Sequence, residues 1–472
     1  MEHIKTDLCI IGAGSGGLSI AAGAVQMGAR VVLIEGAEMG GDCLNAGCVP
    51  SKALIAAAKH AHAMTTGGPF GITPSTPQID FGAVMDHVAR VVDTIAPVDS
   101  QERFEGLGVR VIREWAKFSG PKEVIAGNYR ITARRFVLAT GSRPFVPPIP
   151  GVETVPYLTN ETIFAQRERP AHLIVIGGGP IGMEMAQAHR RLGCQVTVIE
   201  GAKALGRDDP ETAAVVLEKM RAEGVAVMEE APVVRIGGAE GAIEVEIKDG
   251  RILKGSHLLM AVGRQVSLEG LGLEKAGVEY SRKGVTVGAD LRSSNRRVYA
   301  VGDAAGGLQF THVAGYHAGV VIRQMLFGLP AKARTAHIPW ATYTDPELAQ
   351  IGPTEAEARK LHGDALKVIR FEYAENDRAQ TQGRTEGLIK VMVLKGRPIG
   401  VSIAGAQAGE LIGLWALAIA SKLKMGAIAG TVLPYPTLNE VSKRAAGAYF
   451  SPALFDSPKV KRVVGLVQRF FP

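Results

Sequence analysis

Short apolar runs, each followed by a cluster of glycines, recur along this chain and predict βαβ units. Leu8–Ile11 is the first run, and Gly12-Ala13-Gly14-Ser15-Gly16-Gly17 follows it directly. A helical pattern then leads to a second apolar run, Arg30–Ile34, which ends at Glu35. Strand, helix and strand in this order predict two parallel strands joined by a crossover helix.

The same arrangement occurs again in the middle of the chain. Leu173–Ile176 leads into Gly177-Gly178-Gly179-Pro180-Ile181-Gly182, and a helical pattern then leads to Gln195–Ile199 and Glu200. In both copies the acidic residue lies eighteen residues after the last glycine. Two copies with matched acids are much more specific than one glycine-rich turn.

This pattern has a chemical reason, and it predicts two dinucleotide-binding sites. The first glycine allows a tight turn, the second lets the backbone approach a pyrophosphate, and the third lets helix and strand pack closely. The following helix offers free N–H groups to the phosphates, and the acid accepts hydrogen bonds from ribose hydroxyls. Glycine-rich turns without a ligand remain the alternative, which suits a single copy better than two. The predicted binding residues are Gly12, Gly14, Gly17 and Glu35 in the first copy and Gly177, Gly179, Gly182 and Glu200 in the second.

Other strand-like runs end in small residues, which suggests that the chain crosses between domains more than once. Phe136–Leu138 precedes Ala139-Thr140-Gly141-Ser142, a similar strand end occurs at Leu258–Arg264, and Val298–Val301 precedes Gly302-Asp303. From about residue 338 the nucleotide motifs stop. There the strand-like segments Leu388–Leu394 and Ile399–Gly405 precede a helical pattern at Leu411–Leu423, which predicts a separate α+β domain.

Composition and charge narrow the class of protein. The chain has 472 residues, 46% hydrophobic and 21% charged, which is typical of a soluble globular protein with several domains. The net charge of +7 is spread along the chain without basic runs, so we expect no nucleic-acid partner. Met1–Asp7 leads straight into a strand, and the apolar stretch Leu411–Ser421 is too short to span a bilayer. A cytoplasmic location is therefore expected.

Two of the four cysteines carry candidate chemistry. Cys9 and Cys194 lie in or beside apolar strands and are expected to be buried, whereas Cys43 and Cys48 lie among glycines. Four intervening residues can form a helical turn that brings the two sulfurs together as a local, readily reduced disulfide. One alternative is a zinc site that also uses His60 and His62, but ligands two apart on a helix point to different faces. The other alternative is that the two cysteines are unreactive thiols, and the flanking glycines and Lys52 disfavour it. We predict no metal site.

The segment Gly40-Gly41-Asp42-Cys43-Leu44-Asn45-Ala46-Gly47-Cys48-Val49-Pro50-Ser51-Lys52 resembles the signature of the pyridine nucleotide–disulfide oxidoreductases. This family includes dihydrolipoamide dehydrogenase, glutathione reductase and mercuric reductase, and the resemblance runs through almost the whole chain in family order. It implies an α/β fold with two Rossmann-like domains, for FAD and NAD, and a C-terminal α+β dimerisation domain. The implied division is 1–150 for FAD, 151–270 for NAD(P), 271–337 for a return to the FAD or central domain, and 338–472 for dimerisation.

The resemblance also implies residue roles in a homodimer. Cys43 would exchange with the substrate, and Cys48 would lie against the flavin as a thiolate. Lys52 would lie near the flavin with Glu184 as its ion-pair partner, although a solvated helix charge is the alternative for Lys52. His312 would lie at a helix N-terminus beneath the flavin, with a structural role favoured for its imidazole. The further residues assigned to FAD are Gly41, Thr140, Gly141 and Asp303, and Gly263 is assigned to the nicotinamide nucleotide.

The choice of nicotinamide follows from the acid at the end of the second strand. A carboxylate at Glu200 favours free ribose hydroxyls and repels a 2′-phosphate. We therefore predict NADH, while Lys203 and Arg207 keep NADPH open as an alternative.

One position departs from the lipoamide and glutathione enzymes. They carry a histidine as acid/base five residues before a glutamate; here Tyr435 stands at that place and Glu440 remains. A tyrosine titrates near 10 and hardly acts as a base. Mercuric reductases carry tyrosine at this place, and Arg207-Asp208-Asp209-Pro210 also resembles their sequence. Those enzymes, however, use a C-terminal cysteine pair to pass mercury inward, and this chain has no cysteine after Cys194. The resemblance implies an FAD-dependent oxidoreductase, similar to dihydrolipoamide dehydrogenase, in which electrons pass from NADH to FAD, then to Cys43–Cys48 and to an acceptor. The acceptor could be a small-molecule or protein-bound disulfide, a lipoyl group, or a metal ion. A flavoprotein oxidase or transhydrogenase without disulfide turnover is the other class.

The C-terminal tail shows helical spacing of apolar residues. Val460, Val463, Val464, Val467 and Phe471 share one face, opposite three basic side chains, Lys461, Arg462 and Arg469. We expect this amphipathic helix to pack on its own domain, with weak contact to a membrane or partner as the alternative.

Overall fold

The computed structural model describes residues 1–471. Its elements up to the second dinucleotide unit are β1 (Glu2–Ile11), α1 (Ser15–Gln26), β2 (Val31–Ile34), α2 (Gly41–Asn45), α3 (Cys48–Ala63), α4 (Phe81–Ile95), α5 (Gln101–Gly106), β3 (Arg110–Ile112), β4 (Ala116–Gly120), β5 (Glu123–Ala126), β6 (Tyr129–Leu138), β7 (Ser142–Pro144), β8 (His172–Ile176), α6 (Pro180–Arg191) and β9 (Gln195–Ile199). The middle of the chain forms α7 (Pro210–Ala222), β10 (Ala226–Met228), β11 (Val233–Ala239), β12 (Ala242–Ile247), β13 (Ile252–Gly255), β14 (His257–Met260), β15 (Arg264–Val266), α8 (Leu273–Ala276), β16 (Tyr280–Ser281), β17 (Gly284–Val285), β18 (Val298–Ala300) and α9 (Thr311–Phe327). The remainder forms β19 (Pro339–Thr342), β20 (Glu347–Ile351), α10 (Glu355–His362), β21 (Leu366–Glu372), α11 (Asp377–Thr381), β22 (Leu388–Leu394), β23 (Arg397–Gly405), α12 (Ala408–Ala420), α13 (Met425–Ala429), α14 (Glu440–Ala448), α15 (Ser451–Phe455) and α16 (Pro458–Phe470).

These elements form two compact units. The first comprises Met1–Gly68, Ile72–Gly201 and Glu230–Arg334, and the second comprises Pro69–Gly71, Ala202–Glu229 and the chain from Thr335 onward. The division into four segments at residues 150, 270 and 337 stays a prediction. The α/β fold class with two nucleotide-type sheets and a C-terminal α+β part is confirmed.

The main sheet of the first unit explains why its central strand reads as a continuous apolar run. β1 lies between β2 and β6, both parallel to it, and β18 returns to pair in parallel with β6. Along β1, Cys9 and Ile11 pack in one apolar cluster, whereas Leu8 and Ile10 pack in another. Because both faces of the strand are covered, polar residues cannot alternate with apolar ones.

A second parallel sheet in the same unit carries the second glycine cluster. β8 lies between β9 and β14, and both pair with it in parallel. Between β9 and β14 along the chain, the antiparallel strands β11, β12 and β13 form a separate sheet. A further two-stranded sheet joins β7 and β15. The predicted run Leu173–Ile176 therefore became a strand in full, one residue longer at its start.

The second unit is built on an antiparallel sheet in the order β19-β20-β23-β22-β21. Its core contains Trp415 of α12, which is fully buried and donates from its indole nitrogen to the Ser442 hydroxyl at 3.1 Å. The two predicted strands are present, as β22 and β23. The predicted helix 411–423 instead spans Ala408–Ala420, because a turn at Gln407 in the left-handed conformation starts it earlier.

Asp209, within the sequence Arg207-Asp208-Asp209-Pro210, has a structural role in the second unit. Its carboxylate caps α7 by accepting from the backbone N–H of Glu211, and it also lies 2.9 Å from the buried ammonium of Lys390. The same ammonium lies 2.8 Å from Glu211 and 2.7 Å from Glu355. One buried ammonium therefore contacts three carboxylates, and the guanidinium of Arg370 pairs with two of them, those of Glu211 and Glu355.

We expect Lys390→Met to cost about 3–5 kcal/mol in the free energy of unfolding, because it leaves the fully buried Asp209 carboxylate without its cation. Urea unfolding followed by tryptophan fluorescence reports on this unit, since Trp415 lies in its core. The matched control is Lys360→Met, at an exposed lysine of the same unit, which should change the midpoint little. Equal midpoints for the two variants would show that the ion cluster is not stabilising.

The expected packing of the C-terminal helix on its own domain is wrong. Every residue of α16 is at least partly exposed, and Val463 and Phe470 are 59% and 68% exposed. The helical spacing was read correctly, but an amphipathic pattern shows only that an apolar face exists and not what covers it. Among residues 1–471, no helix has the length and apolarity needed to cross a membrane.

Candidate active site

The first group of predicted site residues converges because three parallel strands end at the same edge of the main sheet. β1 ends before Gly12, β6 ends before Thr140 and Gly141, and β18 ends shortly before Asp303. Ligands of such sheets bind at the carboxyl ends of the strands. Residues from three distant parts of the chain are therefore brought to one edge.

The backbone at the start of α1 fits a bound dinucleotide. A Cβ on Gly17 would lie 1.9 Å from the carbonyl oxygen of Gly12, and one on Gly12 would lie 2.4 Å from that of Ala139. Gly12 also has a φ of +106°, which an L side chain rarely adopts. At Gly14, by contrast, a Cβ would meet open space, so the backbone there is accessible. Tight packing on two sides and an open approach on the third are what a pyrophosphate at a helix N-terminus needs.

Glu35 fixes the neighbouring loop. Its carboxylate accepts from the backbone N–H of Ala13 at 2.6 Å and of Ala37 at 2.8 Å. The Thr140 hydroxyl is buried without a hydrogen-bond partner among the described residues. An orphaned polar atom at this edge is a second observation that fits FAD, since a buried hydroxyl is normally satisfied.

Asp303 belongs to a polar network at the same edge. It accepts from the Ser142 hydroxyl at 2.5 Å, and burial raises the pKa of its carboxyl. Ser142 in turn accepts from Arg264 at 2.7 Å, and Arg264 lies 3.2 Å from the Asp42 carboxylate. Asn160 donates to Asp42 at 2.9 Å. This network ties the cysteine-bearing segment to the predicted flavin residue.

The second dinucleotide motif repeats the geometry of the first. A Cβ on Gly182 would lie 2.0 Å from the carbonyl oxygen of Gly177, and Gly179 faces open space. The Glu200 carboxylate accepts from the backbone N–H of Gly178 at 2.7 Å, as Glu35 does in the first copy. Gly263 follows the carboxyl end of β14, at the same edge of this sheet. The residues present fit a second dinucleotide.

Cys43 and Cys48 lie on consecutive helices, and the structure differentiates their thiols. Cys43 is in the middle of α2, whereas Cys48 is the first residue of α3 and its sulfur lies 3.3 Å from the Thr311 hydroxyl. A hydrogen bond with Cys43, aided by Thr311 and by the charge of Lys52, lowers the pKa of Cys48 to about 6 against the effect of burial. The same hydrogen bond and burial raise the pKa of Cys43. The helix N-terminus further favours a thiolate at Cys48.

Lys52 lies one turn further along α3 and forms an ion pair. Its ammonium is 2.7 Å from a carboxylate oxygen of Glu184, which lies in α6 just after the second glycine cluster. The Glu184 side chain is only 6% exposed, so its charge is shielded from solvent. A buried carboxylate holds the lysine cation in place beside Cys48.

We expect the reduced enzyme to lose Cys48 reactivity as pH falls through about 6, because protonation removes the nucleophilic thiolate. Below that midpoint, the rate of Cys48 alkylation by iodoacetamide, measured by mass spectrometry, should drop about tenfold per pH unit. Lys52→Met should shift the midpoint upward, whereas Lys59→Met, on the same helix, should leave it unchanged. A midpoint near 8.5 in the unaltered protein would contradict this.

His312 lies in the first turn of α9, next to Thr311. Its ring stacks on that of Phe310, with centroids 5.3 Å apart. Gly41 lies against Gly14, where an added Cβ would be 2.8 Å from the Gly14 Cα. Close backbone packing thus places Gly41 at the first glycine cluster, whereas His312 is placed by the start of α9, next to the Thr311 hydroxyl that contacts Cys48.

Tyr435 and Glu440 lie in the second unit. The Tyr435 hydroxyl donates to the Asp377 carboxylate at 2.8 Å, which raises the pKa of the phenol above its usual value. Glu440 begins α14, and one of its carboxylate oxygens is buried without a hydrogen-bond partner among residues 1–471. The Tyr435 phenol is therefore hydrogen-bonded to Asp377 and not to Glu440.

The sequence did not indicate five polar residues of this site: Asp42, Ser142, Asn160, Arg264 and Thr311. All except Asn160 adjoin predicted residues, but their contacts join positions more than a hundred residues apart. Within the described part of the chain, no three His, Cys, Asp or Glu side chains are grouped to hold a metal ion.

Comparison with known proteins places these features in a family. The model of the pyridine nucleotide-disulphide oxidoreductases matches residues 6–318, and that of the dimerisation domain of the same family matches residues 338–446. A dihydrolipoyl dehydrogenase from Thermus scotoductus is 36% identical over 95% of this chain and 98% of its own. A mercuric reductase from Streptomyces lividans is 33% identical over 95% of this chain and 97% of its own.

Solved structures give the same answer. The Cu(II) complex of the HOCl-induced flavoprotein disulfide reductase RclA from Escherichia coli is 28% identical with a TM-score of 0.83, covering 93% of this chain and 99% of its own. LpdA from Mycobacterium tuberculosis is 25% identical with a TM-score of 0.86, covering 94% and 99%. The chain therefore belongs to the pyridine nucleotide-disulphide oxidoreductase family, as an FAD-dependent enzyme that uses NAD(P)H, and its dimerisation domain supports a homodimer.

Proposed function

We propose that the enzyme moves an electron pair from NADH, by way of FAD, to the Cys43–Cys48 pair and from there to a thiol-binding metal ion or a disulfide. The observation that carries this proposal is the unequal placement of the two thiols. Cys48 begins α3, 3.3 Å from the Thr311 hydroxyl and one turn before Lys52, whereas Cys43 lies within α2. In keeping with this, the pKa of Cys48 is lowered to about 6 and that of Cys43 is raised. Bound FAD supplies acceptance of a hydride and onward transfer of the electron pair. Gly12, Gly14, Gly17, Gly41 and Glu35 would hold it, together with Thr140, Gly141, Asp303 and His312 of the same edge.

The chain's own groups would divide the remaining work. Cys48 stays a thiolate, because the helix N-terminus, Lys52 and the Thr311 hydroxyl all favour its negative charge. Glu184 holds Lys52 in position, which makes Glu184 a positioning residue. Cys43, which keeps its proton longer, is the sulfur that meets the acceptor once that proton is released.

Tyr435 bears on which acceptor the enzyme reduces. In the proposed homodimer, Tyr435 and Glu440 face the partner subunit's Cys43, at the place where related enzymes carry a base. A phenol that donates to Asp377 and has a raised pKa does not accept a proton at neutral pH. Attack of the Cys43 thiol on a lipoyl disulfide requires such acceptance, whereas a metal ion displaces the proton from a thiol as it binds. We therefore propose a thiol-binding metal ion above lipoyl groups as the acceptor, with cupric ion ahead of mercuric ion because the chain has no cysteine after Cys194.

The electron balance of this step is simple. One mercuric ion takes both electrons of the dithiol, or two cupric ions take one each, and the cysteines return to the disulfide. Mercuric and cupric chemistry is favoured by relatives named as a mercuric reductase and as a Cu(II) complex of a flavoprotein disulfide reductase.

A steady-state panel tests the proposal. NADH is offered with lipoamide, glutathione disulfide, mercuric ion and cupric ion, each with and without a monothiol buffer for the metal. We expect the highest kcat/KM with a metal ion. Lipoamide turnover above that of both metals would refute the metal assignment while leaving the disulfide reductase intact. Activity that is limited to dioxygen or to a second nicotinamide would point to an oxidase or transhydrogenase instead.

The cofactor preference is a separate prediction. We expect NADH to be preferred over NADPH by at least about tenfold in kcat/KM, equivalent to about 1.4 kcal/mol. The reason is the Glu200 carboxylate at the end of β9, whose charge opposes a 2′-phosphate. Glu200→Gln keeps an oxygen that can accept from Gly178 but removes the charge, so it should narrow the preference. A preference for NADPH in the unaltered enzyme would overturn this assignment.

A further inference from the structure

Five arginines and a tyrosine line one cavity of the first unit, away from the edge that carries the glycine clusters. The cavity has a volume of about 230 Å³ and is lined by Arg134, Arg135, Arg292, Arg296, Arg297 and Tyr299. Arg296 and Arg297 immediately precede β18, whereas the proposed FAD residues follow the carboxyl ends of the strands. The cavity therefore lies at the opposite edge of the same sheet.

The positive charge of this cavity is poorly compensated. No carboxylate lies within 4.0 Å of the Arg134, Arg135, Arg296 or Arg297 guanidinium among residues 1–471, whereas Arg292 has Asp290 at 4.0 Å. Asp7 lies on the neighbouring strand β1, where Arg30, at 3.1 Å, lowers its pKa most and the charge of Arg134 lowers it to a smaller extent. This one carboxylate is therefore shared between Arg30 and the cavity. Like charges that share a site repel one another, so an anion between them would be strongly stabilised.

Part of the cavity wall is rigidly built. Tyr299 is fully buried, and its hydroxyl accepts from Arg292 at 2.7 Å, while the same guanidinium lies 5.2 Å from the Tyr299 ring centroid. Arg297 donates to the backbone carbonyl of Arg134 at 3.3 Å. Two of the five guanidinium groups are thus oriented by contacts within the cavity wall, which lowers the entropy cost of using them to bind a ligand.

Size and charge together define the ligand. The cavity is smaller than the roughly 300–1,000 Å³ of typical organic ligand sites. Planar guanidinium groups match phosphate oxygens with two parallel hydrogen bonds, which an ammonium cannot offer. We propose that this cavity binds a compact, multiply charged phosphate anion, of the pyrophosphate or triphosphate class, either free or as the phosphate chain of a nucleotide.

Calorimetric titration of the FAD-loaded enzyme with inorganic tripolyphosphate tests this, at constant ionic strength and with saturating NAD⁺ to occupy the second dinucleotide site. We expect saturable binding, weakened at least about tenfold in the double variant Arg296→Gln/Arg297→Gln, because this variant removes two charged hydrogen-bond donors from the cavity. Arg282→Gln, at an exposed arginine of the same unit outside the cavity, should bind as the unaltered enzyme does. Retained FAD content shows that each variant is folded.

The titrations distinguish a nucleotide from a free oligophosphate as the bound anion, and they also show whether the cavity binds an anion at all. Tighter binding of adenosine triphosphate than of tripolyphosphate, with the same loss in the double variant, assigns the anion to a nucleotide, and the reverse order assigns it to a free oligophosphate. The proposal is overturned by the absence of saturable binding, or by equal affinities in the double variant and the unaltered enzyme. Neither result bears on electron transfer, so the proposed function is tested separately.

The exposed C-terminal helix carries a second inference from an independent observation. α16 exposes Val463, Val464, Val467 and Phe470 by 44–68%, and the next residue, Phe471, is 70% exposed. Its ionisable residues are all basic, namely Lys459, Lys461, Arg462 and Arg469, and it contains no acid. Basic residues opposite an apolar face complement an anionic lipid surface, whereas an ordinary protein surface would offer both signs of charge. We infer that α16 lies in the interface of an anionic bilayer.

Vesicle sedimentation of the holoenzyme tests this inference. We expect binding to phosphatidylcholine vesicles that contain phosphatidylglycerol, little binding to phosphatidylcholine alone, and loss of binding in Val463→Glu/Val467→Glu. Leu361→Glu, at a 71% exposed leucine of the same unit, is the control and should bind normally. Unchanged sedimentation of the double variant would overturn the inference. So would conversion of a dimer to a monomer by the double variant, since a second copy would then cover this face.

Discussion

Cys43→Ser is expected to abolish reduction of metal-ion and disulfide acceptors, by at least about 10³-fold in kcat, while NADH still reduces the flavin at an undiminished rate. The reason is that Cys43 is the proposed exchange sulfur, whereas the nicotinamide site is built from Gly177, Gly179, Gly182 and Glu200 on a different sheet. Rapid mixing with NADH measures the first half of the reaction, and steady-state turnover measures the second.

The control for this variant is Cys194→Ser, at a buried cysteine outside the proposed route. Burial raises the pKa of Cys194 to about 12, so its thiol stays protonated and unreactive at neutral pH. Cys194→Ser should therefore leave the rates of both half-reactions unchanged. Sustained acceptor turnover in Cys43→Ser would mean that electrons leave the flavin directly, as in an oxidase or transhydrogenase.

Tyr435→His is expected to raise dihydrolipoamide turnover by about tenfold or more, and to leave metal-ion reduction within about twofold. A positioned base typically contributes 10²–10⁴ in rate, and a newly introduced imidazole should recover part of that. Glu440 is close enough for its charge to raise the pKa of Tyr435, and its buried carboxylate oxygen has no hydrogen-bond partner among residues 1–471. It can therefore orient the imidazole and stabilise its protonated form.

Tyr435→Phe is the matched control for this gain, because it removes the hydroxyl without supplying a base. We expect it to leave dihydrolipoamide turnover low and to release Asp377 from its hydrogen bond. An increase in both variants would assign the effect to loss of the phenol rather than to the imidazole. No increase in Tyr435→His would show that the position does not serve exchange in this enzyme.

Features set by local spacing could be predicted from the sequence. Gly12 and Gly17 are five residues apart, and the steric need for glycine at both is a property of one turn. The closeness of Cys43 and Cys48 in sequence is equally local, but the two residues lie on separate helices, α2 and α3, and not on the single helical turn that was predicted. The Lys52–Glu184 ion pair spans 132 positions and was reached only through the family resemblance, since nothing in the spacing of the two residues connects them.

Features that depend on distant contacts could not be predicted. The network from Asp42 through Arg264 and Ser142 to Asp303 uses segments that meet only after two sheets have formed. Asp209 was noted as part of a sequence resemblance, but its role as a helix cap and as a buried partner of Lys390 requires the folded second unit. The exposure of the apolar face of α16 could not be predicted either, because a helical pattern does not identify what covers that face.

Anaerobic reductive titration shows whether Cys43 and Cys48 form a redox centre in addition to the flavin. The oxidised enzyme is titrated with dithionite, and the electrons taken up per FAD are counted from the absorbance of the flavin. We expect an uptake of about four electrons per FAD in the unaltered enzyme, two for the flavin and two for the cysteine pair. Cys43→Ser should take up about two. Uptake of only two electrons by the unaltered enzyme would contradict a redox centre at the cysteine pair.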